Sequence, residues 1–354
     1  MNSALGIEET ARHLISEETP LQTVMEESQR LTARHFSSQQ NNSHTETNGK
    51  HWRMQLYAPI YVSSFCVNQC LYCGFRAPHS IQRKHLSVEE TVGESQYLLQ
   101  RGFKSQLIVA GESPKVSSAY LAEIMRRLRS MQVVPSIEVA PASVEQYAEI
   151  VAGGCRGITL FQETFDRTLY AKYHPAGPKS DYEWRVRALE RAAEAGMPRI
   201  GYGVLLGLAE PRRELIAMME HAAKLTAKYP DRIFAFSLPR IHEGPNGFAI
   251  PYQVSDELFV RMYCALRIIF PKAELVLSTR ETPELRNQLA SLCITQISAE
   301  SSTEPGGYAI NASQNSCAAK QSDDNFHGQF LVADCRSAQE IADWLTQYGH
   351  DVRW

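Results

Sequence analysis

Eight short, β-rich apolar runs recur along this chain from residue 59 onward, each separated from the next by a stretch with helical punctuation. They fall at 59–63, 106–110, 136–140, 157–161, 199–204, 232–238, 273–278 and 293–297. Strands that alternate with helices build βαβ units, because parallel neighbours need a crossover between them. Eight such units are the number that closes a (β/α)8 barrel. The punctuation agrees. Ser87 with Glu90, and Ser143 with Gln146, have the spacing of capping boxes, and Gly102 and Gly153 stand where those helices stop. Leu121, Ile124, Met125 and Leu128 follow the spacing of a buried helical stripe. Thr282 precedes Pro283, a favoured first helical residue.

The expected architecture is therefore α/β, with the barrel over residues 56–300. Residues 1–55 read as an N-terminal helical arm and a polar linker: 7–36 carry a helical apolar pattern, and Ser37–Lys50 is almost free of apolar residues. Residues 301–354 read as a C-terminal extension packed on the barrel. The 354 residues are 44% hydrophobic and 21% charged with net charge −3, the balance of an ordinary globular protein. Nothing in them is apolar for long enough to span a membrane, and no basic tract favours nucleic acid. The first ten residues lack a signal peptide's basic start and apolar core, so a reducing, cytoplasmic setting is expected.

In a barrel of this kind chemistry belongs at the C-terminal ends of the strands. The first strand leads into Cys66-Val-Asn-Gln-Cys70-Leu-Tyr-Cys73. Three thiols on one loop are soft ligands, suited to iron–sulfur clusters, zinc or copper. A cubane cluster takes four ligands, so three cysteines leave one iron open. Zinc with His79 as a fourth ligand is the alternative, although no second knuckle accompanies the loop. Crowded thiols pair poorly, which disfavours a disulfide framework. Of the eight cysteines the other five stand isolated, and Cys155, Cys264 and Cys293 read as buried small hydrophobes. The remaining strand ends carry Gly111-Glu112, Glu138, Gln162-Glu163, Ser237 to Arg240, Ser278-Thr-Arg280 and Ser298. A single strand-end carboxylate is more often a helix cap. Their convergence on one rim beside the cysteine loop favours a site.

The stretch Tyr61–Phe75 resembles radical S-adenosylmethionine (SAM) enzymes, and within them the aromatic-amino-acid-lyase branch. So do Phe161–Asp166, Tyr182–Arg185, Ile200–Leu208, Leu277–Pro283, Gln296–Ser298, Pro305–Tyr308 and Gln329–Asp334, which together extend from about residue 55 to the C-terminus. The resemblance implies one [4Fe–4S] cluster on Cys66, Cys70 and Cys73, with SAM chelated at the open iron. It implies that Tyr72 lies against the adenine and that Gly111 and Glu112 meet the methionyl amino group. Glu138 would take the ribose hydroxyls, and Glu163 and Arg185 would help hold SAM. Arg280 would anchor a substrate carboxylate through its two-point fork, with Ser298 adding a hydroxyl.

The reaction implied is cleavage of the Cα–Cβ bond of tyrosine by the deoxyadenosyl radical, giving p-cresol and dehydroglycine for thiamine thiazole synthesis. A flavodoxin or ferredoxin would donate electrons, and thiazole synthase would be a plausible receiver of the unstable product. A lyase acting on tryptophan or another aromatic amino acid is the alternative, and an electron-transfer iron–sulfur protein the non-enzymatic one. Two departures matter. After the sixth strand the branch commonly carries a second arginine where this chain has His242, which bears on the substrate. No cysteine group for a second cluster follows the barrel, which argues against carbon monoxide and cyanide production.

Overall fold

The computed structural model describes residues 6–37, 51–242, 247–309 and 328–354. Among these residues nine parallel strands form one sheet: Arg53–Ser63 (β1), Ser105–Ala110 (β2), Val134–Glu138 (β3), Ile158–Glu163 (β4), Arg199–Val204 (β5), Ile233–Ser237 (β6), Glu274–Leu277 (β7), Gln296–Ser298 (β8) and Asp351–Arg353 (β9). Strands β2 to β8 pair in chain order, and β1 pairs with both β8 and β2, which closes the barrel. The sheet is thus the (β/α)8 barrel expected from the eight runs.

Alternation along each strand sorts the side chains into two sets. Ile60, Ile108, Ile137, Ile158, Ile200 and Leu275 face outward into the main core beneath the helices. Each is completely buried, worth about 1.5–3 kcal/mol relative to exposure. Their neighbours Tyr61, Leu107, Glu138, Thr159, Gly201 and Val276 face the barrel interior and line its cavity. The parity that fills the core therefore also fixes which strand-end residues meet.

Both capping boxes form as the sequence indicates. Thr282 caps the helix Pro283–Ala290 through its side chain. The arm is two helices, Ile7–Ile15 and Leu21–Phe36, because Pro20 starts a new helix and cannot continue the old one. They pack against the helix Asp256–Ile269.

Three features differ from the sequence reading. Strand β1 starts six residues before the expected Pro59, and its length lets it pair with β9 along Arg53–Gln55 and with β2 along Ala58–Ser63. The three-residue β9 gives no periodic signal of its own. The eighth strand begins at Gln296 rather than residue 293, because the amides of Leu292, Cys293 and Ile294 all turn back to the Leu289 carbonyl. Cys155, Cys264 and Cys293 are free and buried, as expected, but Cys335 is disulfide-bonded and so is not isolated. Most of the proposed linker (38–50) and Cys317 lie outside the described residues. Among the described residues no helix is long and apolar enough to cross a membrane.

Candidate active site

The cysteine loop leaves β1 and folds over the end of β2. The amide of Gly111 donates to the Ser63 carbonyl at 3.0 Å, and that of Val67 to the Glu112 carbonyl at 2.9 Å. A Cβ at Gly111 would lie 2.5 Å from the Phe65 carbonyl oxygen, so the loop can settle there only because the position is glycine. The approach that this glycine permits is that of the cysteine loop itself.

Cys66, Cys70 and Cys73 line one recess of about 100 Å³ together with Gly111, Glu112, Glu138, Glu163 and Arg185. Cys70 is buried and the other two partly so. Burial pushes the Cys73 thiol up to about 12, with the neighbouring Cys70 adding to it, and raises Cys70 as well. Such thiols stay protonated unless a bound cation reverses the balance. A single zinc ion draws its sulfur ligands to about 2.3 Å. Among the described residues no three His, Cys, Asp or Glu side chains gather to hold one metal ion. His79, the candidate fourth ligand, instead shares a 2.8 Å hydrogen bond with the Gly74 carbonyl through Nδ1. The donor set, three soft thiols spread around one recess, fits a polynuclear iron–sulfur group.

Hydrogen bonds stiffen the surroundings of that recess. Asn68, inside the cysteine loop, donates to Glu112 Oε2 at 2.7 Å and accepts from the Lys179 amide at 2.8 Å. Tyr72 is 2.7 Å from Nε2 of the buried His174, whose Nδ1 lies 2.8 Å from the Tyr170 carbonyl. A carbonyl can only accept, so the imidazole proton sits on Nδ1 and Tyr72 donates to Nε2. Burial, reinforced by Lys179, drives His174 down to about 3 and keeps it neutral.

Glu163 lies at a shift in the β4–β5 register and takes φ 71°, a conformation that turns its side chain into the site. Its carboxylate meets Lys179 Nζ at 2.5 Å and the Arg185 guanidinium at 3.5 Å. Burial alone would raise it, but these two cations outweigh burial and hold it below the usual carboxylate value. Arg185 also donates to the Phe161 carbonyl from Nε at 2.9 Å. Glu138 differs. Burial pushes it up to about 7, with Glu163 opposing its ionisation and Arg280 favouring it.

A second, larger cavity of about 730 Å³ opens from the recess down the barrel interior. Arg280 and Ser298 line it with Tyr61, Tyr72, Glu138 and Glu163. The Arg280 guanidinium stacks on the Phe330 ring at 3.4 Å and makes no hydrogen bond or ion pair among the described residues. Ser298, the register neighbour of Tyr57 on β1, is buried, and its hydroxyl interacts with that of Tyr57 without reaching ordinary hydrogen-bond geometry among the described residues. Arg240 is spoken for: it donates to Glu281, to Asp256 at 2.8 Å and to the Val254 carbonyl at 2.8 Å. His242 sits 3.2 Å from the same Glu281 carboxylate.

The structure thus gathers Cys66, Cys70, Cys73, Tyr72, Gly111, Glu112, Glu138, Glu163, Arg185, Arg280 and Ser298 around two joined cavities. Sequence reasoning did not single out Lys179, His174 or Asn68, nor Gln329 as a site residue. The first two sit in irregular segments without periodicity. Asn68 could have been suspected from its place between the cysteines.

Fold, open rim and thiol loop together define a radical SAM barrel. Residues 60–222 match the radical SAM superfamily, and 237–351 match the biotin and thiamin synthesis associated domain. The chain is 32% identical over 337 residues to the 2-iminoacetate synthase of Escherichia coli (strain K12), covering 94% of this chain and 82% of that protein. It superposes on the FeFe-hydrogenase maturase HydG from Carboxydothermus hydrogenoformans with TM-score 0.83 and 31% identity, over 98% of this chain and 76% of that one. Methylornithine synthase (PylB), at 18% identity and TM-score 0.69 over 98% of this chain and 94% of that one, shares the fold. The chain belongs to the 2-iminoacetate synthase family of radical SAM enzymes.

Proposed function

We propose that this protein cleaves the Cα–Cβ bond of L-tyrosine, yielding 2-iminoacetate and p-cresol, with 5′-deoxyadenosine and methionine formed from SAM. The observation that carries the reading is Arg280. A guanidinium without an ionic partner among the described residues faces a cavity of about 730 Å³, within the size range of small-molecule sites. Guanidinium binds carboxylate in a two-point fork, so an amino-acid carboxylate is its natural complement.

Cys66, Cys70 and Cys73 would hold one [4Fe–4S] cluster, which, when bound, supplies the electron that splits SAM. The chain's own residues do the rest. Tyr72, fixed by His174, offers a ring face toward the adenine. Glu112 would accept from the amino group of SAM and Glu138 from its ribose hydroxyls, with Glu163 and Arg185 helping to hold it. Arg280 and Ser298 hold the amino-acid end of the substrate, and the aromatic walls of the interior take its side chain. Enclosure by the barrel keeps water and stray hydrogen donors from the reacting atoms. A thiol-ligated cluster suits a reducing, cytoplasmic setting, with a flavodoxin or ferredoxin as electron donor and the thiazole synthase as receiver of the unstable imine.

The test is anaerobic turnover of the reconstituted protein with SAM, a low-potential reductant and each aromatic amino acid in turn. Tyrosine is expected to release p-cresol. An indolic fragment from tryptophan, with nothing from tyrosine, would move the substrate assignment while leaving the lyase reading intact. Deoxyadenosine without any cleaved amino acid would remove both.

A further inference from the structure

Residues Gly328–Asp334 cross the mouth of the large cavity as a strap. The Gln329 amide donates to the Thr303 carbonyl at 3.2 Å, Thr303 Oγ1 to the Phe330 carbonyl at 3.0 Å, and the Ala333 amide to the Thr279 carbonyl at 2.8 Å. On its other side the strap presses on the cysteine loop. A Cβ at Gly74 would lie 2.8 Å from the Gln329 carbonyl oxygen, so the two backbones touch where a side chain is absent. The strap therefore joins β7, which leads to Arg280, with the loop that carries the thiols.

One strap side chain faces each of these. The Tyr61 hydroxyl donates to Gln329 Oε1 at 2.9 Å, and Gln329 Nε2 lies 3.9 Å from Cys73 Sγ. With Oε1 committed to accepting, the NH2 group faces the sulfur. The flipped amide would set an oxygen lone pair against a ligating thiolate, which is repulsive. Next along the chain, Phe330 lies under the Arg280 guanidinium at 3.4 Å. Asn68 makes a comparable approach to Cys66 Sγ at 3.7 Å, but the same Nδ2 is tied to Glu112 at 2.7 Å. Among the described residues Gln329 has no carboxylate to hold its NH2 group, so its orientation depends on the Tyr61 hydroxyl and on the strap that carries it.

We propose that Gln329 is a positioning residue for the ligating Cys73 thiolate: its N–H donates to the sulfur, raises the reduction potential of the bound cluster, and ties that potential to occupation of the carboxylate site at Arg280. The first part rests on the radical SAM reading and the second on the tyrosine reading. A donor to sulfur stabilises the reduced, more negative cluster, so its loss lowers the potential. A carboxylate drawn into the Arg280 fork changes the stack on Phe330, and the peptide bond to Gln329 passes that change to the amide.

The test is a redox titration of the reconstituted full-length protein without SAM, followed by the reduced cluster's paramagnetic signal, with iron content measured alongside. Parent, Gln329→Leu and Gln329→Glu are compared with and without L-tyrosine. All three should hold roughly four irons per chain. At a fixed potential Gln329→Leu should hold on the order of tenfold less reduced cluster than the parent, equivalent to 59 mV for one electron. Gln329→Glu should be lower still, since it sets a negative oxygen against the sulfur. Tyrosine should shift the parent and leave Gln329→Leu unmoved. Parent-like potentials in both variants, or cluster loss in both, overturn the assignment, because a positioning amide is not a ligand. A tyrosine shift that persists in Gln329→Leu, or is absent from a parent that binds tyrosine, overturns the coupling. If tyrosine does not bind the parent while the variants still titrate low, the substrate reading fails and the cluster role of Gln329 stands.

Discussion

Glu163 and Arg280 line the same cavity, yet their surroundings differ. Glu163 is gripped by Lys179 at 2.5 Å and Arg185 at 3.5 Å, and Arg185 is itself anchored on the Phe161 carbonyl. Arg280 rests on the Phe330 ring, and among the described residues the buried Ser298 hydroxyl nearby has only a loose interaction with Tyr57. The carboxylate at the end of β4 is thus ion-paired before anything binds. The guanidinium at the end of β7 has no ion pair among the described residues. A site that must take the same cofactor in every turnover gains from such preorganisation. If Arg280 anchors the substrate carboxylate as proposed, its strong bond forms only when substrate arrives, which couples binding energy to recognition.

The comparison can be broken at its extremes first. Replacing Cys66, Cys70 or Cys73 with Ala should abolish bound iron and SAM cleavage, whereas replacing Cys155 or Cys335 should leave both in place; iron analysis after anaerobic reconstitution decides. About eight irons per chain in the parent would overturn the single-cluster reading.

Next come the two charged centres. Glu163→Gln leaves Lys179 and Arg185 without their buried anion, and should cost about 3–5 kcal/mol of stability in urea unfolding of the metal-free protein. Arg280→Ala should leave that stability nearly unchanged and instead lower kcat/KM for tyrosine by about 2–5 kcal/mol. Lys at 280 should rescue it only in part. If both substitutions damaged folding equally, the contrast between the ion-paired Glu163 and the ring-stacked Arg280 would be wrong.

Glu138 offers a smaller effect with a definite sign. Its folded value of about 7 lies above the ordinary 4.5, so the fold favours the protonated carboxyl. The stability it contributes is present below about pH 4.5 and is lost as pH rises through about 7. Cavity water screens the group, so about 1–2 kcal/mol should disappear across this window. Thermal unfolding of the metal-free protein against pH should show the slope, and Glu138→Gln should flatten it. Smallest of all, Ser298→Ala should change stability by less than about 0.5 kcal/mol while raising KM for tyrosine a few-fold. A large loss of stability would mean that the hydroxyl is structural.

The eight strand-forming runs, the capping signals and the three-cysteine loop were legible in the sequence because each rests on local chemistry: short runs of apolar, β-favouring residues, a side chain reaching its own helix start, and thiols placed on one short segment. Their places at the ends of expected strands made Glu138 and Ser298 readable as rim residues. What the sequence could not show depends on distances between remote segments. Lys179 meets Glu163, Gln329 reaches Cys73 across 256 positions, and β9 joins the foot of β1 at the far end of the chain. Nor could residue type say that Arg240 is bound to Glu281 while Arg280 is left to a ring face. Composition and spacing determine which groups stand at the barrel's rim. Which of them are already paired, and which remain for a ligand, is decided only when the closed barrel and its strap bring both ends of the chain to one cavity.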